Sequence, residues 1–350
     1  MPGAGEVEFF PTINSPGAPR FQISAPSGHV QANAHFGWPL ATADIDDNGT
    51  IDLVVGAPHQ DVAGVTDQGR AFVLFGPGSP TNPTPYANWA YLEVDPGEVS
   101  DPGANEPGGQ FGDSLYGEQE EPYGLGDVVV GLPGADSVIY GLDTGGIRAH
   151  FGHGPALNPI WNNDWPWTEN QPPVLVSTQP SQQFGSSIAV RDADNDGWDD
   201  FLVGAPGTSS GPRGYVVLNQ AFQIGFQHHS GRYGPNPDEL GDLYGTSVGW
   251  AYVNGPPASA PCPAVIGAPG GLDGAGYVEV LVGDFTMHSL KLWTQWAYYP
   301  NPIPEPDEAF GYALARALRF GTVNEDLVIG TPHANIPGYA DAGEVFVYNH

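Results

Sequence analysis

Apolar residues in this chain fall in short runs broken by glycine, proline and acidic turns, and the runs recur in a fixed order. Each unit opens on an aromatic followed by glycine: "HFGWPLA" from His35, "QFGDSLY" from Gln110, "QFGSSIA" from Gln183, "LYGTSVG" from Leu243 and "AFGYALA" from Ala309. A second run ends in a Gly-x-Pro turn, as "LVVGAP", "VVVGLP", "FLVGAP", "AVIGAP" and "LVIGTP". The third begins at or near glycine: "GRAFVLFG", "GGIRAHFG", "RGYVVLN", "AGYVEVLVG" and "GEVFVYNH". A looser fourth precedes the next unit, in "AYLEVDPG" from Ala90, "PVLVSTQP" from Pro173 and "LKLWTQW" from Leu290. Runs this short, rich in β-branched and aromatic residues and bounded by turn residues, read as strands. Four strands per unit, repeated every 60 to 75 residues, is the pattern of a propeller blade. The second strand is apolar on both faces, which suits a strand lying between two blades.

These motifs resemble the FG-GAP repeats of the integrin α-subunit propeller and of related secreted proteins, and the resemblance covers nearly the whole chain. It implies an all-β fold: one propeller domain over residues 1–350, of about five four-stranded blades whose motifs start near 35, 110, 183, 243 and 309. Family propellers usually have seven blades, so five complete motifs are fewer than expected. "AGEVEFF" from Ala4 reads like "AGEVFVY" from Ala342, and both are third-strand sequences. "RFQISAP" from Arg20 reads as a fourth strand. Residues 1–34 are thus expected to supply closing or donated strands, with "GEVEFF" surplus once "RFQIS" completes the last blade. A spare strand caps an edge, or pairs with a neighbouring molecule and builds head-to-tail filaments; alternatively, the chain is a piece of a longer propeller.

Two loops between first and second strands concentrate acid. In "DIDDNGTID", Asp44, Asp46, Asn48 and Asp52 take positions 1, 3, 5 and 9, with Gly49 at 6. In "DADNDGWDD", Asp192, Asp194, Asp196 and Asp200 take the same positions, with Gly197 at 6. Alternating oxygen side chains around a glycine turn suit Ca²⁺, which accepts 6–8 oxygens in irregular geometry. The backbone carbonyl at position 7, Thr50 or Trp198, supplies a further ligand. An EF-hand is excluded, because position 12 is Val55 or Val203 inside a strand rather than a glutamate before a helix. The resemblance implies the same ion, since the family carries Ca²⁺ in this hairpin loop. The plainer reading is a good Asp-Asn-Gly turn. Two calcium sites are expected. Blade two keeps only Gln119, Glu121, Tyr123 and Asp127 at the aligned positions, blade five keeps Asp326, and "VNGPPASAPCP" of blade four has lost the loop.

Net charge is −31, from 40 acids against 9 bases. Charged residues are only 14 % of the chain, so the acidity reflects missing bases rather than dense charge. A basic patch cannot be assembled, which disfavours nucleic acid and anionic membrane as partners. Cys262 is alone, so neither a disulfide framework nor a thiolate metal cluster is expected. No apolar run approaches the ~18 residues of a membrane span, and no signal peptide is visible in "MPGAGEVEFF".

Other chemistry is thin. "GTSSG", Gly207 to Gly211, has the nucleophile-elbow spacing but sits after a strand turn without a triad. His59, His333 and the pair His228–His229 read as loop histidines without zinc-ligand company. "WNNDWPW" (Trp161 to Trp167) and "LWTQWAYY" (Leu292 to Tyr299) read as covers of their own blade edges, or as interface or sugar-stacking surfaces. In family members resembling glycosylphosphatidylinositol phospholipase D, catalytic domains lie outside the propeller. The expectation is therefore a noncatalytic, extracellular, calcium-stabilised adhesion module for a protein or glycan ligand. The alternative is a self-assembling filament subunit.

Overall fold

The computed structural model describes residues 2–9, 21–45, 49–76, 91–94, 107–118, 127–136, 142–150, 165–167, 181–193, 200–207, 215–221, 227–233, 241–252, 262–282, 294–300, 302, 305–318 and 325–348. Among them every regular element is a β-strand, and the chain divides into two compact units, Met1–Trp167 and Thr168–His350.

The first unit begins with a two-stranded sheet of β1 (Val7–Phe9) and β2 (Phe21–Ile23). A four-stranded sheet follows, of β3 (Leu40–Ala43), β4 (Asp52–Ala57), β5 (Arg70–Leu74) and β6 (Tyr91–Val94). A second holds β7 (Ser114–Glu118), β8 (Asp127–Gly131), β9 (Ile147–His150) and β10 (Trp165–Trp167). The second unit carries β11 (Ser187–Arg191), β12 (Asp200–Ala205), β13 (Tyr215–Ala221) and β14 (Gln227–Tyr233) in one sheet. Its next sheet is β15 (Ser247–Trp250), β16 (Ala264–Ala268), β17 (Tyr277–Val282) and β18 (Thr294–Pro300). A three-stranded sheet of β19 (Ala313–Leu318), β20 (Glu325–Thr331) and β21 (Glu344–Tyr348) completes it.

Strands follow chain order across every sheet and all neighbours are antiparallel, as the repeated motifs require. Two placements differ from the sequence expectation. The fourth strand of the second sheet is Trp165–Trp167, paired with β9, while the "PVLVSTQP" run lies outside the described residues. The "GEVEFF" strand is paired: Val7 lies opposite Ile23 and Phe9 opposite Phe21.

The two motif halves meet within each sheet. The N–H of the Phe-Gly glycine donates to the carbonyl of the Gly-x-Pro glycine: Gly37 to Gly56 at 3.0 Å, Gly245 to Gly267 at 3.0 Å and Gly311 to Gly330 at 3.2 Å. Gly56 and Gly267 also pack on the neighbouring sheet. A Cβ at Gly267 would collide with the carbonyl oxygen of Gly311, which already accepts a bond from Ser247 Oγ at 2.7 Å. Glycine is the residue that lets two backbones come this close.

The aromatic beside each Phe-Gly or Tyr-Gly glycine is a core residue, and within the units Phe36, Phe111, Tyr244 and Phe310 fill the space between sheets. Phe36, Phe111, Phe184, Tyr244 and Phe310 are all buried, each contributing about 1.5–3 kcal/mol by leaving water. Phe36 packs edge-on against Phe72, and Phe310 against Phe346 at 5.4 Å. Where the aromatic is Tyr244, the facing residue is the fully buried Glu279, which accepts its hydroxyl proton at 2.7 Å. One polar replacement is thus matched by another, as a buried hydroxyl requires.

Second strands are buried along both faces in β12 and β16, but β20 alternates. Leu327 and Ile329 pack on Val265, Val278 and Val280, whereas Val345 and Val347 on the other face are 63 % and 54 % exposed. Their counterparts in the β3–β6 sheet, Ala71 and Val73, are fully buried against Phe111, Val128 and Val130.

Replacing Gly267 by Ala is expected to destabilise the chain by about 2 kcal/mol or more, because backbone rather than a flexible side chain must move. Gly249→Ala in β15, where an added Cβ meets nothing within 4 Å, should change stability by less than about 0.5 kcal/mol. Urea unfolding of the two variants checks the contrast.

Candidate functional site

Each acidic loop joins the first two strands of its sheet, at the end of the hairpin opposite the Phe-Gly turn. In the β3–β4 loop, Asp52 is fully buried and Asp44 is 9 % exposed. Asp52 Oδ2 accepts the Ile45 N–H at 2.8 Å and its Oδ1 accepts the Gly76 N–H at 2.7 Å. Asp44 Oδ2 accepts the Gly49 N–H at 2.8 Å, folding the loop back on its first residue. Gly49 reaches this with φ of 78°, the left-handed turn for which glycine stands at position six. Thr50 is half-buried.

The β11–β12 loop repeats the arrangement. Asp200, 3 % exposed, accepts the Ala193 N–H at 3.0 Å, the same bond that Asp52 makes with Ile45. Asp192 is half-buried at the head of the loop. Asp46, Asn48, Asp194, Asp196 and Trp198 lie outside the described residues. Among the described residues no three acidic, histidine or cysteine side chains converge as metal ligands. What the structure brings to each loop is a pair of carboxylates, one at each end, of which Asp44, Asp52 and Asp200 accept backbone N–H groups. That donor set fits a hard cation such as Ca²⁺ and offers nothing for a soft one.

The second unit holds a charged cluster that the motif alignment missed. The alignment places Asp326 at the last loop position of blade five, but it is the preceding residue, Glu325, that is buried, at 2 % exposure. Arg191 Nη1 donates to its two oxygens at 3.2 and 3.4 Å, and Arg316 Nη1 donates to Oε1 at 3.0 Å. The Tyr252 N–H donates to Oε2 at 2.9 Å, and the Arg191 guanidinium lies 4.9 Å from the centre of the Tyr252 ring. Arg191 immediately precedes Asp192. Ala193 of the same loop is gripped from the neighbouring sheet, its carbonyl accepting the Cys262 N–H at 2.6 Å. Asp326 does take the register position of Asp52, opposite Ala317 as Asp52 is opposite Ala43, and the burial of its neighbour Glu325 carried no sequence signal.

Cys262 is fully buried beside this cluster. Burial pushes its thiol up to about 12, against a smaller downward pull from Arg191. The remaining candidates take ordinary places. His59 Nδ1 lies 3.4 Å from Asp67, and His333 Nδ1 lies 3.7 Å from Asp341 in the corresponding turn. His228 and His229 belong to β14, Trp165 and Trp167 to β10, and residues 294–299 to β18, so both aromatic stretches contribute fourth strands. The "GTSSG" segment beyond Gly207 lies outside the described residues.

The FG-GAP repeat family matches residues 184–218, the span from the Phe184 turn through the acidic loop to β13. Phosphatidylinositol-glycan-specific phospholipase D of Rattus norvegicus is 26 % identical over 203 residues, 56 % of this chain and 22 % of that protein. Integrin alpha-PS2 of Drosophila melanogaster is 30 % identical over 183 residues, 50 % of this chain and 12 % of its own length. Integrin alpha-3 of Mus musculus is 49 % identical over 53 residues, 14 % of this chain and 5 % of its own. The matched stretch is thus about a fifth of the phospholipases' length. The likeness to proteins named as phospholipases corrects the expectation that the chain is not an enzyme. That expectation rested on catalytic domains lying outside the propeller in such family members and on the lack of a catalytic constellation, and a repeat scaffold by itself neither carries nor excludes a reaction.

Because the thiolate is the reactive form, Cys262 should resist alkylation by iodoacetamide at pH 8 in the folded protein and react fully in urea. Mass spectrometry of the two samples checks this, and equal labelling would contradict the burial.

Proposed function

We propose, on the premise that this chain is an FG-GAP-repeat β-protein of the integrin α-like type, that it is an extracellular binding module held in shape by two calcium ions. The observation that carries the reading is the burial of Asp44 and Asp52, and of Asp200, in loops that hold further acids at Asp46, Asp194 and Asp196. Three carboxylates in one loop repel one another unless a cation sits among them. Asp44, Asp46, Asn48 and Asp52 with the Thr50 carbonyl would hold one ion. Asp192, Asp194, Asp196 and Asp200 with the Trp198 carbonyl would hold the other. The ion supplies charge neutralisation and a rigid tie across the mouth of the hairpin. The chain's own carboxylates orient the loop by drawing in the Ile45, Gly49, Gly76 and Ala193 N–H groups. The likeness to integrin α chains and to phosphatidylinositol-glycan-specific phospholipase D supports a location outside the cell. A protein or a glycan is the proposed ligand class, and the integrin likeness supports adhesion as the setting.

A second reading, a self-assembling structural subunit, is favoured by the exposed Val345 and Val347 of β21. Sedimentation velocity separates the two, because particles that stay monomeric at every concentration with calcium present would remove self-assembly.

An ion bound only by the folded state stabilises it by about 2.7 kcal/mol at a hundred-fold excess over its Kd. Excess EDTA added to calcium-loaded protein should therefore lower Tm by several degrees in calorimetry. Asp44→Ala and Asp192→Ala should each remove one of two ions in a calcium titration and leave the fold intact. A melting curve indifferent to EDTA would count against calcium.

A further inference from the structure

We propose that the outer face of β21 is a docking site for the Phe36 turn of a second copy of this chain, and that residues 2–9 of each copy act as a removable cap on that turn. Within the units one contact is made three times. The N–H groups of the turn aromatic and of the residue before it donate to two carbonyls at the head of a third strand. His35 and Phe36 donate to Gly3 and Ala4 at 3.1 and 3.0 Å, and Gln110 and Phe111 to Asp67 and Gln68 at 3.1 and 2.9 Å. Ala309 and Phe310 donate to Gly274 and Ala275 at 2.9 and 3.0 Å. The residue after each acceptor pair is a glycine with positive φ, Gly5, Gly69 or Gly276, and a Cβ on it would collide with the backbone of Phe36, Phe111 or Phe310. A Cβ at Gly56 or Gly267 would likewise strike the carbonyl of the incoming turn glycine.

The β19–β21 sheet repeats this socket. Asp341 and Ala342 are exposed, and their carbonyls accept no backbone N–H among the described residues. Gly343 has φ of 75°, yet a Cβ on it would approach only Thr331 and Pro332 of its own sheet. Gly330, the counterpart of Gly56 and Gly267, would meet only Ala313, also of its own sheet. Val345 and Val347, 63 % and 54 % exposed, stand where Ala71 and Val73 are fully buried. The N-terminal strand shows what fits. "AGEVEFF" from Ala4 and "AGEVFVY" from Ala342 share Ala-Gly-Glu-Val, and the first already holds Phe36. It does so from a two-stranded sheet, whereas Phe111 and Phe310 are held by sheets of four, so the Phe36 turn has the weakest holder of the three. Lifting β1 and β2 bares Phe36, Phe72 and Leu74, an apolar face for Val345 and Val347 of another copy. Such a contact is head-to-tail and propagates. Tethering gives the cap a millimolar effective concentration, which keeps the wild-type chain monomeric in micromolar solution. The proposal stands apart from the calcium reading and narrows the self-assembly reading to one contact.

Sedimentation velocity of the full chain at fixed calcium tests it. Gly5→Val places a side chain against the Phe36 backbone and lifts the cap. It should convert monomers into oligomers that lengthen with protein concentration. Adding Val345→Asp and Val347→Asp closes the socket and should weaken association at least about ten-fold. That triple variant, mixed with wild-type chain, should give a dimer holding one of each, because one brings an open turn and the other an open socket. If Gly5→Val does not fold, Val7→Asp takes its place, since Val7 is buried only where the cap meets the Phe36 cluster. Uncapped chain that stays monomeric at every concentration overturns the proposal, as does wild-type chain that assembles as readily as Gly5→Val. Oligomers indifferent to the two aspartates overturn this contact and leave self-assembly through another surface standing. Calcium uptake by the same variants is unchanged in every case, so the calcium reading fails or holds on its own titration.

Discussion

The close approach of backbone at the Phe-Gly turns is the constraint on which the rest of the structure depends. Within a sheet, the turn glycine donates to the carbonyl of the Gly-x-Pro glycine and so locks the first hairpin at one end. Between sheets, the Gly-x-Pro glycine lies so near the next turn's carbonyl that no Cβ fits at Gly204 or Gly267. The aromatic neighbour then fills the wedge that this contact opens, which is why Phe111, Tyr244 and Phe310 are fully buried. One dipeptide thereby sets hairpin closure, sheet spacing and the core together.

That lock leaves the far end of each hairpin to be secured by other means. Where an acidic loop joins β3 to β4 and β11 to β12, buried carboxylates accept backbone N–H groups of the loop. Where β19 meets β20, the chain uses guanidinium groups instead, two of them on the single carboxylate of Glu325. The Glu325 cluster answers a general electrostatic problem, which is that a buried carboxylate needs a positive partner. A chain with 9 bases against 40 acids can answer it with arginine in few places.

Likeness to integrin α chains and to phosphatidylinositol-glycan-specific phospholipase D sets the functional frame without closing it. Shared repeats explain shared sheets and turns, since those follow from glycine sterics and aromatic burial. They do not specify a ligand or a reaction, because both depend on side chains that the repeat leaves free.

Strand order was legible in the sequence, since each strand is flagged by chemistry within a few residues of itself: Phe-Gly at its start, Gly-x-Pro at its end, alternating or continuous apolar residues between. The acidic loops were legible for the same reason, as their spacing is local. Only the tertiary structure decided that Glu325 rather than Asp326 is buried, that "GEVEFF" pairs with "RFQIS", and that Trp165–Trp167 closes a sheet. Which face of a strand is covered, and which charge meets which, depends on neighbours brought in from far along the chain, and no short stretch of sequence contains them.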